Sequence, residues 1–142
     1  MITVADLIKA VTRELKGKFP DIKVWSTDKT EDFGKKCFFI KHTTSRDGKP
    51  DFVRDRGEIR VYYFPSDENL NQQELIDMQE QLSQLFLFRI FVTETFAVPI
   101  DEVDFEVDDD VLVMSFNFEM YQSVDTESGY PNMEELEVNE VN

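Results

Sequence analysis

Two sets of charged side chains dominate the chemistry this sequence offers. Arg46, Lys49, Arg54 and Arg56 stand close together, and Asp101, Glu102, Asp104, Glu106, Asp108, Asp109 and Asp110 form a dense acidic run further on. Hard cations want several carboxylate oxygens, so the acidic run first suggests calcium or magnesium. Its spacing argues otherwise. An EF-hand loop needs Gly at its sixth position and Glu at its twelfth, whereas counting from Asp104 puts Asp109 and Ser115 there, with strand-like apolar residues between the acids. No metal site is expected. The basic set is interleaved with Asp47, Asp51, Asp55 and Glu58, which cancel it, so it is not a phosphate-binding patch. Charge alone suggests a different use: the bases of one subunit meet the acids near 101–110 of the next.

Covalent and acid-base catalysis find little support. Cys37 and His42 are five apart on one candidate strand, an odd offset that sends their side chains to opposite faces and prevents a local nucleophile-base pair. His42 is the single histidine, which excludes a multi-histidine metal centre within one subunit. No G-x-S-x-G elbow, phosphate-cradling glycine loop or H-E-x-x-H motif is present. The expectation is a protein without catalytic residues or cofactor. The aromatic group Phe38, Phe39, Tyr62, Tyr63 and Phe64 lacks the glycines and bases of an RNA-binding signature and reads as core.

Composition supports this view. The chain has 142 residues, 41% hydrophobic and 13% aromatic, enough for one domain with a substantial core. Thirty acids against fifteen bases give a net charge of -15, which disfavours nucleic acid and anionic membrane as principal ligands. The charge is lopsided: residues 1–63 hold 14 bases and 10 acids, residues 64–142 hold 1 base and 20 acids. Copies packed head to tail could set one face against the other. One cysteine permits no internal disulfide, and the N-terminal residues lack the basic and apolar regions of a secretory leader, so assembly in a reducing cytoplasm is expected. The longest mostly apolar run, residues 85–92, is far short of the roughly 20 residues of a membrane span.

The elements that must position these groups follow from periodicity. Thr3 and Asp6 form a capping-box pattern, and Val4, Leu7, Ile8, Val11 and Leu15 predict a helix over 4–17. Short strands are expected at 22–26, 37–44 and 58–64, the last two joined by a thirteen-residue charged loop from Arg46 to Glu58 with an Asp47-Gly48 turn signal. Leu75, Met78, Leu82 and Leu85 predict a second helix over 69–87, with Asn69 or Asn71 as cap and Glu74 three residues beyond Asn71. Strand pieces at 90–92 and 96–98 precede a hairpin in which Val103, Phe105 and Val107 alternate with acids, Asp108-Asp109-Asp110 turns the chain, and 112–121 alternates again. The class is α+β, a mixed or antiparallel sheet packed against two helices. Residues 1–124 are expected to be the domain and 125–142, with six acids and no base, a mobile acidic tail.

Several stretches resemble a known family. Lys36-Cys37-Phe38-Phe39-Ile40, Arg60-Val61-Tyr62-Tyr63-Phe64-Pro65-Ser66-Asp67, Glu74-Leu75-Ile76-Asp77-Met78-Gln79-Glu80-Gln81-Leu82 and Pro99-Ile100-Asp101-Glu102-Val103-Asp104-Phe105-Glu106-Val107 occur in the order seen in phage tail terminator proteins. The resemblance spans about residues 1–124. It implies a small α+β subunit forming a ring, six-fold in the family, at the head-proximal end of a phage tail, where it stops growth of the tube and offers a surface to the head side. The implied partners are further copies of the chain, the tail tube protein and a head completion or connector protein, and the implied location is the virion tail, assembled in the host cytoplasm. A head-tail connector that bridges capsid and tail without controlling length is the alternative. The family has no point-like active site to carry over, so the interface residues named above rest on charge alone.

Overall fold

The computed structural model describes residues 1–25, 36–66 and 71–124. The expected tail at 125–142 and most of the loop expected at 27–36 lie outside the described residues. Helix α1 (Val4–Lys18) starts where local chemistry demands it: the Thr3 hydroxyl accepts from the Asp6 backbone N–H at 3.2 Å and the Asp6 carboxylate accepts from the Thr3 N–H at 2.9 Å. Its stripe of Leu7, Ala10, Val11 and Leu15 is buried, and Pro20 follows its end. Strand β1 (Lys23–Trp25) leads to β2 (Cys37–Lys49), β3 (Phe52–Phe64), α2 (Gln72–Leu85), β4 (Phe88–Phe91), β5 (Ala97–Ile100), β6 (Val103–Asp108) and β7 (Val111–Ser123).

The described strands make a five-stranded sheet in the order β1-β2-β3-β7-β6 and a separate β4-β5 ribbon. β1 runs parallel to β2, and every other pairing is antiparallel, so the sheet is mixed. Side chains alternate across the pleat. One face carries Phe38, Ile40, Ile59, Val61, Tyr63, Leu112, Met114, Phe116 and Phe118, and both helices bury their apolar stripes against it, with Leu75, Met78, Leu82 and Phe86 coming from α2 and the segment after it. This inner face is the core. The α+β expectation therefore holds, with two helices on a mixed sheet.

The largest departure from the sequence reading concerns the expected thirteen-residue loop. β2 and β3 pair without interruption from Cys37 with Phe64 to Lys49 with Phe52, leaving only Pro50 and Asp51 as the turn. Asp47 and Gly48 lie within β2. The reason is electrostatic: the register sets Arg46 opposite Asp55 and Asp47 opposite Arg54, so charges that look like loop residues in sequence neutralise each other across the ladder. β7 supports the whole length of β3, pairing from Phe52 with Ser123 to Tyr63 with Leu112. Gly57 permits the closest approach, since a Cβ there would stand 1.9 Å from the Thr43 carbonyl oxygen.

Helix α2 starts at one of its two expected caps, Asn71, while Asn69 lies outside the described residues. Asn71 occupies the cap position but makes no side-chain cap hydrogen bond, and Glu74 does not reach back to it. Instead the Glu74 carboxylate accepts from the Tyr63 hydroxyl at 2.5 Å and from the Ser66 backbone and hydroxyl at 3.1 and 3.0 Å. It ties the end of β3 to the start of α2.

Candidate subunit interface

The two charged sets lie on different parts of the sheet. Arg46 and Lys49 are on β2, Arg54 and Arg56 on β3, Asp104 and Asp108 on β6, and Asp109 and Asp110 in the β6-β7 turn; Asp101 and Glu102 link β5 to β6. β2 and β6 are separated by β3 and β7. The sheet thus holds the basic strand and the acidic strand apart, and the paired set proposed from charge is not brought together within one chain. One partial exception is a cleft beside β5 that Asp101 and Arg56 both line, together with Thr43, Glu58, Asn117 and Tyr121.

Most bases of the hairpin already have partners. The Arg46 guanidinium donates to both carboxylate oxygens of Asp55, at 2.7 and 3.1 Å, on the inner face, where Asp55 is buried beside Met120. That hydrogen bond and the adjacent negative charge hold Arg46 firmly protonated. On the outer face Arg54 donates to Asp47 at 2.9 and 2.5 Å, approaches Glu119 at 3.6 Å and lies 6.0 Å from the centre of the Tyr121 ring. The hydrogen bond from Arg54 lowers the Asp47 carboxyl below its ordinary value. Arg56 is half-exposed and only 4.0 Å from Asp47. Among the described residues no carboxylate stands within ion-pairing distance of Lys49. Lys49 and Arg56 are therefore the bases of the set with most charge to offer outside the chain.

The acidic side has fewer internal partners. Among the described residues Asp101, Glu102, Asp104, Asp108, Asp109 and Asp110 make no ion pair. Asp109 and Asp110 adopt left-handed backbone with φ of 55° and 63°, the conformation that a two-residue turn between right-twisted strands requires. Alternation then directs Asp104, Glu106 and Asp108 to the outer face, the same face as Lys41, Lys49, Arg54 and Arg56.

Sequence reasoning missed two members of this surface, Glu119 and Tyr121, and did not pair Asp55 with Arg46. Only the strand register shows them. Asp55 stands nine residues from Arg46 across a turn whose position was misread, while Glu119 and Tyr121 belong to a strand paired through long-range contacts.

Comparison with known proteins gives one family. A model of the phage tail terminator protein matches residues 6–130. No curated protein matches the chain.

Proposed function

The chain belongs to the phage tail terminator family, and on that premise we propose that it forms a hexameric ring on the head-proximal end of the tail tube, stops tube polymerisation there and presents a surface to the head completion or connector protein. The family is structural and makes the chain a component of the phage tail. The observation that supports the ring reading is the separation of opposite charges to β2-β3 and β6, since a subunit with complementary surfaces on its two sides can associate head to tail, the kind of contact from which a ring is built. In this reading Lys49, Arg54 and Arg56 on the outer face meet Asp101, Glu102, Asp104, Asp108, Asp109 and Asp110 of the next subunit, while Arg46 stays with Asp55 on the inner face. Lys49 and Arg56 contribute most, because Arg46 and Arg54 are engaged at home.

A direct test adds the purified protein to polymerising tail tube subunits. Tubes whose mean length falls as more protein is added, each with added density at one end, are the expected result. Tubes of unchanged length without an end cap would contradict termination.

A further inference from the structure

Among the described residues, both β6 and most of β2 have an edge that no strand of the main sheet covers. β1 covers β2 only at Cys37–Phe39, opposite Lys23–Trp25, so among the described residues the outer edge of β2 from Ile40 to Lys49 has no partner strand. β6 pairs with β7 on one side and, among the described residues, with nothing on the other. Each edge offers a row of N–H and C=O groups that another strand can satisfy. β6 spans about 20 Å at 3.4 Å per residue, and the open part of β2 is longer.

We propose that β6 of one subunit adds to the open edge of β2 in the next, so that the five-stranded sheet continues from subunit to subunit around the ring. This rests on the ring reading above and specifies its contact. The charges select this pairing. Two β6 strands side by side would juxtapose Asp104, Glu106 and Asp108 with their own copies, whereas β2 carries Lys41, Arg46 and Lys49 against the single acid Asp47. The residues that blunt each edge against itself are thus complementary between edges.

Direction and register follow from the sheet. β2, β3, β7 and β6 are successively antiparallel, so β6 runs opposite to β2. A repeat that continues the sheet keeps the sense of every strand, and β6 therefore meets the next β2 antiparallel. The acids of β6 lie on the outer face with Lys41, Thr43, Ser45, Asp47 and Lys49, and a continuous pleat keeps them there. Two antiparallel registers preserve that match and hold β6 within the open edge. One opposes Asp104 to Asp47 and is disfavoured by like charge. The other sets Asp108 opposite Lys41, Glu106 opposite Thr43 and Asp104 opposite Ser45, and is the one assigned.

The test is disulfide trapping in the full chain. Within one subunit residues 43 and 106 are three strand spacings apart, about 14 Å, too far for a disulfide, so any bond formed joins two copies. Cys37 is buried and stays in place. Thr43→Cys combined with Glu106→Cys should give, under mild oxidation, a ladder of covalent oligomers ending at the ring, and this ladder should be lost in either single variant. Thr44→Cys with Glu106→Cys, which puts one thiol on the wrong face, should give none. The mass of each unoxidised sample, measured by light scattering, separates the two ideas. Rings that form without a Thr43-Glu106 ladder would overturn edge addition and leave the ring reading intact. Wild-type protein that stays a single subunit and a double variant that does not cross-link would overturn both.

Discussion

Arg46 and Asp55 show how unequal the two ends of an ion pair can be. The Asp55 side chain is only 2% exposed, whereas that of Arg46 is 52% exposed. Arg46→Ala strands a buried carboxylate, and Asp55→Ala merely frees an arginine that can turn to solvent. Denaturant titration should therefore find the larger loss of stability for Arg46→Ala; equal losses would mean that the pair is not buried at one end. Gly57 makes a second demand at this scale. A methyl group there meets the Thr43 carbonyl, so Gly57→Ala should cost about 1–3 kcal/mol, measured by the same titration, as the strands are forced apart. Neither demand was legible in the sequence, because each depends on which residue stands opposite, and that is set by the turn at 50–51 rather than by anything near Arg46 or Gly57.

Elements with local causes were the readable ones. The first helix carries its own cap and stripe, and the strand after Asp110 alternates over its full length, so both expectations hold to within a residue or two. The long hairpin failed because its stability is cross-strand: charged residues in β2 and β3 look soluble singly and are neutral as pairs. The β3-α2 junction failed similarly, with Glu74 taken from its expected cap by Tyr63 and Ser66. That junction predicts a pH response. Burial raises the Glu74 pKa, but the hydrogen bonds from Tyr63 and Ser66 outweigh it and leave the group below its ordinary 4.5. A carboxyl lowered in the folded state stabilises fully above its unfolded value and loses that contribution as pH falls through the folded one. Stability should thus decline as pH drops below 4.5, and Glu74→Gln should flatten the decline in thermal melts taken across that range. An unchanged slope would assign the acid sensitivity elsewhere, Asp47 with its Arg54 bond being the first alternative.

At the scale of the whole molecule, the sequence already displayed a basic first half and an acidic second half, and the sheet converts that linear asymmetry into two separate strands. The identity of the charged groups was legible; their internal pairing was not, and it shifts the weight of the proposed contact from Arg54 to Lys49 and Arg56. Exposed ion pairs are worth only ~0 to 1 kcal/mol each and are screened beyond a Debye length of ~8 Å at physiological salt. Lys49→Glu with Arg56→Glu should accordingly shift ring formation to several-fold higher protein concentration at low salt, with a smaller shift at high salt, in sedimentation or light scattering. Assembly indifferent to both changes would remove charge from the contact.

Length control by this protein can be read from electron microscopy of particles made after a stop codon is placed early in its gene. Overlong, headless tail tubes are expected, because growth has lost its cap. Tails of normal length lying free beside filled heads would contradict length control and indicate a connector that joins head to tail without measuring length.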